Sequence, residues 1–188
     1  MSIQNIIRKI PNYANDIKAN FYELFSQEIE GLSKSQLLGI ALSVSYALKH
    51  EQLLNAIRNE AKVVLDDSYF DAAKSAVAIM GLNNTYYGFL EMISDDEITN
   101  MPIGLHMSVL REPGIDKLDY EMYLLAVSII NNCKYCTIFH KNILIKKGVQ
   151  KPAIRSVARI AAVLKGVAAV LETEGLRTYE FVLRGENF

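Results

Sequence analysis

Cysteine is nearly missing from this 188-residue chain: there are only Cys133 and Cys136. A single pair three positions apart cannot staple a fold of this size, which excludes a disulfide scaffold. Tryptophan is absent and there are only four prolines, which suits a compact helical protein better than a linker-rich one. There is no excess of charge of either sign. Twenty basic and 21 acidic residues leave a formal net charge of -1, so no electrostatic footprint for nucleic acid exists. The basic residues are scattered, and their one local cluster, Lys146 and Lys147, falls where a helix should end. No stretch approaches the ~20 apolar residues needed to span a bilayer. The N-terminal apolar run is short and broken by Arg8, Lys9 and Pro11, unlike a signal peptide. A soluble cytoplasmic protein is expected, with neither membrane nor nucleic acid as partner. In that compartment thiols stay reduced unless a disulfide is transient or catalytic.

About half of the residues are apolar (51%), enough for one sizeable core. Their spacing is helical nearly throughout, and no sustained alternation marks a strand. An all-α fold in a single domain is expected over 1–188. Residues 15–26 put Ile17, Phe21, Leu24 and Phe25 on one face. Ser33 reads as an N-cap with Gln36 at the capping-box position, opening a helix that reaches Leu48. Further helices are expected over about 50–65, over 69–80 and over 84–93, the last two parted by Gly81-Leu82-Asn83. The pattern is poor over 94–119, which contains Pro102, Gly104, Pro113 and Gly114. That stretch reads as a long connection with one short helix. A buried helix should span Leu118 to Ile130. After Asn131-Asn132 another should run from near Cys133 to Lys147, stopped by Gly148. Lys151-Pro152 opens the next, with Pro in the first turn, and Arg177 to Arg184 reads as a short last helix.

A faint internal repeat supports an internally duplicated helical unit, with halves of about 15–93 and 100–188. A shift of 85 residues lays Gln36–Ala41 beside Glu121–Ala126. In that register Cys133 faces Leu48, Cys136 faces Glu51 and His140 faces Asn55. Any chemistry is then confined to the second half.

The chemistry-bearing stretch runs from Glu121 to His140. On one helix Cys133, Cys136 and His140 share a stripe, because residues three, four and seven apart are neighbours. The thiolate is the reactive form, and a free Cys titrates at roughly 8.5, so something must lower it. If Asn132 caps the helix, Cys133 lies in the first turn, where unpaired N–H groups favour negative charge. Lys134 adds a cation, and His140 can carry protons. Glu121 sits in an otherwise apolar helix, where a carboxylate needs a partner. The break at Asn131-Asn132 lets that helix fold back beside the cysteines, where Glu121 can act as a base. The same four side chains are also possible zinc ligands, although a structural zinc site usually draws on more sulfur. His50 and His106 have no such neighbours and read as surface or packing residues.

These residues resemble the alkyl hydroperoxidase D (AhpD) family of the carboxymuconolactone decarboxylase-like superfamily. Its motif is a Glu, eleven residues, then Cys-x-x-Cys-x-x-x-His, matched here by Glu121, Cys133, Cys136 and His140. Ala78–Tyr87 and Leu105–Gly114 are similar to the family's stretches around its central connection, and the likeness runs from about Leu32 onward. The resemblance implies an AhpD-like helical fold, usually a homotrimer. It implies hydroperoxide reduction and disulfide reductase chemistry, with no bound cofactor. The lipoyl group of a partner protein would recharge the dithiol, and an AhpC-type peroxiredoxin would take its electrons. By carry-over Cys136 attacks the hydroperoxide, Cys133 forms the disulfide with it, and Glu121 and His140 relay protons. One position departs: Tyr135 stands where well-studied members have a His. A tyrosine hydroxyl can donate a hydrogen bond in such a relay but titrates near ~10.

The residues alone leave open which sulfur attacks, since the first cysteine of a helix-start pair is often the more acidic. They also leave open two other classes. One is a zinc-binding structural or regulatory protein. The other is a carboxymuconolactone decarboxylase-like enzyme acting on a small molecule.

Overall fold

The structure, a computed structural model, describes the backbone of residues 1–184 and the side chains of residues 1–175. Among the described residues there are helices and turns and no strand, as the apolar spacing requires. Helices α1 (Ile3–Lys9) and α2 (Asn15–Ser26) lead into α3 (Lys34–Leu48), α4 (Glu51–Ala61) and α5 (Asp67–Ile93). A single turn, α6 (Asp96–Thr99), and a 3-10 turn at Ser108–Leu110 interrupt the connection to α7 (Lys117–Ile130), α8 (Lys134–Lys146) and α9 (Lys151–Arg184).

The centre is α3 against α7. Both are apolar around nearly their whole circumference, with Leu37 to Ser45 buried without a break on one and Met122 to Ser128 on the other. Helices of that kind belong inside a protein. They approach closely because α3 carries Gly39 where they cross: a Cβ there would collide with the Tyr123 hydroxyl. The buried serines Ser43 and Ser45 satisfy their hydroxyls on carbonyls of their own helix. α5 and α9 flank the central pair, each touching both members of it, and α8 lies against α7 and α5.

Helix ends follow local chemistry. Ser33 Oγ accepts from the Gln36 amide and Gln36 Oε1 accepts from the Ser33 amide, the expected capping box. Gly148 sits at φ 86° just past α8, a left-handed conformation that glycine takes without strain. Two expected breaks do not occur. Gly81-Leu82-Asn83 is helical, so α5 is one rod of 27 residues. A helical glycine costs only about 1 kcal/mol relative to alanine, and Ile79, Met80 and Asn83 are buried across this stretch. Likewise α9 runs 34 residues through the place where a separate last helix was expected.

The two sets of helices begin in step. α3 opens at Lys34 and α7 at Lys117, 83 positions apart; α4 opens at Glu51 and α8 at Lys134, again 83 apart. Gln36 Nε2 donates to Asp119 Oδ1 at 2.9 Å, so residues at equivalent stations meet across the central pair. The register of 85 read from the sequence is therefore two residues off. It matched leucines and alanines that recur along any buried helix, whereas the caps fix where helices start. In the structural register Glu121 stands at Leu38, Cys133 at His50, Cys136 at Leu53 and His140 at Ile57.

Candidate active site

The site begins where α7 ends. The Asn132 amide bonds to the Ile129 carbonyl at 3.1 Å and the Cys133 amide to the Ser128 carbonyl at 3.1 Å. Asn132 is left-handed, with φ 55°. This is a Schellman ending with asparagine in glycine's usual place. Asn132 therefore closes α7 and does not cap α8 as expected. The cap is Cys133 itself, whose Sγ accepts from the Cys136 amide at 3.3 Å. Sulfur is a weak acceptor and cysteine is not among the favoured caps.

Cys133 and Cys136 are free thiols, 5% and 3% exposed. Burial pushes the Cys136 thiol up to about 12, and the neighbouring Cys133 sulfur adds to the rise. The Asn84 side chain and the local backbone work in the opposite direction. The lowered value expected for a helix-start thiol is thus not found at Cys136: desolvation of the charged form outweighs the helix N-terminus. Lys134 does not serve the thiols as a dedicated cation. It points outward, 76% exposed, with its Nζ 3.6 Å from Glu91 on α5.

One turn beyond Cys136, His140 is buried and its Nδ1 lies 2.7 Å from Glu121 Oε2. The fold-back of α8 along α7 makes this contact between residues 19 apart. When the carboxylate is ionised it can only accept, so the Nδ1 that faces it is the donor. Carboxylate and imidazole together make a group that can take a proton and stabilise the resulting charge.

The third wall is α5. Asn84 Oδ1 accepts from Asn131 Nδ2 at 2.7 Å, and Asn84 Nδ2 faces Ser128 Oγ at 3.4 Å and Met80 Sδ at 3.8 Å. Beyond it the rim is aromatic. Tyr135 stacks on Tyr87 with centroids 4.7 Å apart, Phe139 follows Tyr135 at 6.4 Å, and Tyr86 meets Tyr87 edge-on. Burial, with further contributions from Tyr135 and Cys136, raises the Tyr87 hydroxyl above its usual value. Tyr135, Ile138 and Phe139 are half exposed, so the outer face of α8 beside the site is apolar.

The fold thus brings together Glu121, Cys133, Cys136 and His140 and places Tyr135 at their rim. His106 is exposed and distant in the chain from any partner. His50 has a structural task, capping α4 by accepting from the Leu53 amide at 3.4 Å. Among the described residues no group of three or more His, Cys, Asp or Glu is arranged to hold a metal ion. Sequence reasoning missed Asn84, Ser128, Asn131 and Tyr87. The only signal was two polar pairs, Asn83-Asn84 and Asn131-Asn132, inside strongly apolar surroundings.

Residues 96–175 match the Carboxymuconolactone decarboxylase family. The chain is 43% identical over 169 residues to the alkyl hydroperoxide reductase AhpD of Coxiella burnetii (strain Dugway 5J108-111), covering 89% of this chain and 96% of the relative. It is 40% identical over 174 residues to the AhpD of Hyphomonas neptunium, covering 93% and 96%. It is 37% identical over 172 residues to that of Brucella anthropi, covering 92% and 97%.

Proposed function

This chain belongs to the AhpD family, and from that premise we propose that it is a thiol-dependent alkyl hydroperoxide reductase that cycles the Cys133–Cys136 dithiol. One observation carries the reading: two buried thiols share the first turn of α8, and the Glu121–His140 pair lies one turn farther along, at 2.7 Å.

The Cys136 proton passes to His140 Nε2, with Glu121 holding the imidazolium that forms. The Cys136 thiolate attacks a hydroperoxide oxygen; an S–O bond forms and the O–O bond breaks. Sulfur is oxidised to a sulfenic acid and the alkoxide leaves, taking a proton to become the alcohol. Cys133 sulfur then attacks Cys136 sulfur, forming the disulfide and expelling water. An external dithiol reopens it through a mixed disulfide and is itself oxidised. The lipoyl group of a partner protein suits this last step, being a dithiol on a long apolar arm that can lie against the apolar outer face of α8. In the other direction of flow, the reduced pair passes electrons to an AhpC-type peroxiredoxin. Both directions need the thiols kept reduced between turnovers, which suits the cytoplasm.

A homotrimer is part of the proposal. Residues 94–106 lie along the surface, with Ile98, Met101, Ile103 and Leu105 exposed. An apolar run of that kind is a candidate for burial in an assembly, and sedimentation equilibrium measures it directly. Among the described residues no helix is long and apolar enough to cross a membrane.

The deciding assay is hydroperoxide consumption with dihydrolipoamide as donor, with and without an AhpC-type peroxiredoxin. Turnover is expected in at least one arrangement, and silence in both removes the enzymatic reading. Alkylation after partial oxidation, mapped by mass spectrometry in single-cysteine variants, identifies the attacking sulfur. The sulfenic acid is expected on Cys136.

A further inference from the structure

The end of α7 is held in a way that the end of α3 is not. Ser45 stands 83 positions before Ser128, and its hydroxyl donates back to the Ala41 carbonyl of its own helix at 2.8 Å. The Ser128 hydroxyl instead leaves its helix. It donates to Met80 Sδ on α5 at 3.3 Å, and its oxygen accepts from Asn84 Nδ2 at 3.4 Å. Leu48 stands 83 positions before Asn131 and packs against the core. Asn131 reaches across to α5, where its Nδ2 donates to Asn84 Oδ1 at 2.7 Å. A single side chain of α5 therefore grips α7 at two points, and among the described residues only the half that carries the cysteines has this tie.

The segment held there delivers Cys133. The Cys133 amide bonds to the Ser128 carbonyl at 3.1 Å on the α7 side, and the Cys133 carbonyl accepts from the Thr137 amide at 3.0 Å on the α8 side. Between the helices lie Asn131 and Asn132, both exposed, the second left-handed at φ 55°. An exposed turn shifts easily unless something beyond its own backbone ties it down. A disulfide tolerates little such shift, since its Cβ atoms must lie roughly 3.5–4.5 Å apart. Cys136 is fixed within the first turn of α8, so the geometry of closure depends on how firmly Cys133 is presented. His50 occupies the same station in the first unit, caps its helix, and has no covalent bond to form.

We propose that Asn84 and Asn131 are positioning residues of the dithiol: by clamping the end of α7 to α5 they hold Cys133 where its sulfur can close on that of Cys136. The inference rests on the dithiol cycle proposed above and deepens it. In this role both side chains act through the backbone of residues 128–133 and exchange no proton with the sulfurs.

The test is the equilibrium of the Cys133–Cys136 pair with a glutathione redox buffer. The two thiols lose two hydrogens to glutathione disulfide, which becomes two molecules of glutathione. The mixture is quenched with acid, and the thiol and disulfide forms are counted by alkylation and mass spectrometry. Asn131→Leu, the residue type of the first unit placed at an exposed position, should lower the equilibrium constant for closure roughly tenfold, the upper scale of one hydrogen bond. That change corresponds to about 30 mV for a two-electron couple. Asn84→Ala should lower it at least as much, and the double variant no further than Asn84→Ala alone, because both substitutions release one clamp. Thermal unfolding supplies a second readout: the disulfide form of each variant should lose more melting temperature than the reduced form. A tie that merely supports the fold would lower both forms alike and leave the constant in place. That result overturns the assignment, and Asn131→Leu alone suffices to give it if Asn84→Ala does not fold. A pair that forms no disulfide at any ratio of the buffer also overturns it. An unsubstituted protein that closes its disulfide but turns over no hydroperoxide removes the proposed function, while the constant measured for Asn131→Leu still decides the clamp.

Discussion

His50 and Cys133 occupy equivalent stations in the two helical units. Each follows a left-handed residue, Lys49 at φ 59° and Asn132 at φ 55°. Each caps the next helix by accepting from the amide three residues on, at 3.4 Å and 3.3 Å. Behind them the units diverge. The first places Leu38, Leu53 and Ile57, all buried, where the second places Glu121, Cys136 and His140. A helix start with an acceptor at its cap is therefore not a redox site. On the proposed function, what makes one is the exchange of three aliphatic side chains for an acid, a thiol and an imidazole. The first unit keeps its stations for the core, and the second spends the same stations on groups that are costly to bury unless they satisfy one another.

The sharpest way to break this comparison is to remove a sulfur. Cys136→Ser and Cys133→Ser should each reduce hydroperoxide turnover to the uncatalysed background. Cys133→Ser should at the same time leave the melting temperature unchanged or raised, because a serine oxygen caps a helix better than sulfur. Next is Glu121→Gln, which keeps the shape of the pair but removes the carboxylate that stabilises a charged His140. Steady-state kinetics should show kcat/KM reduced roughly a hundredfold, the lower end of what proton transfer contributes, with thermal unfolding little changed.

The shared centre of both units is tested by Gly39→Ala, which drives a methyl group into Tyr123. Denaturant unfolding should show a loss of about 1–3 kcal/mol, as overpacking usually costs. A smaller effect distinguishes the thiol-bearing half by pH. The folded Cys136 thiol is raised from the usual 9.0 to about 12, so above pH 9 the unfolded chain loses this proton first. Stability is then full below about pH 9 and falls as pH rises toward 12, in the direction proton linkage requires. The disulfide form has no thiol to titrate, so its melting temperature should fall less steeply over that window. Least is expected from grafting the cap alone. His50→Cys with Leu53→Cys should form a second disulfide on oxidation, seen as two further thiols lost in a thiol titration, with no gain in turnover. A gain would mean that the helix start suffices and that Glu121 and His140 are dispensable.

The helical class was legible because apolar residues recur at helical spacing from Ile17 to Ala168 on either side of the poorly patterned stretch 94–119. The cysteine pair stood out as well, since two cysteines in 188 residues are conspicuous when they fall three apart. Ser33 and Gln36 gave the start of α3, and Gly148 the end of α8. Asn132 was misread by one residue because asparagine favours both a helix cap and the left-handed position that closes a helix. Only the backbone at Ser128–Cys133 distinguishes the two. The continuity of α5 through Gly81-Leu82-Asn83 was hidden for a different reason. Local propensity argues for a break, while burial of Met80 and Asn83 and the contacts of Asn84 argue against it, and those contacts come from residues some 44 to 47 positions away.

By itself the sequence determined the helices, from periodicity, and singled out Cys133, Cys136, Glu121 and His140 as candidates from residue type and spacing. The tertiary structure alone decided their environment. It buried Cys136 deeply enough to raise its thiol and turned Glu121 onto His140 across two helices. A proton's affinity for a group depends on desolvation and on what faces it, and those are set by helices that meet only when the chain is folded.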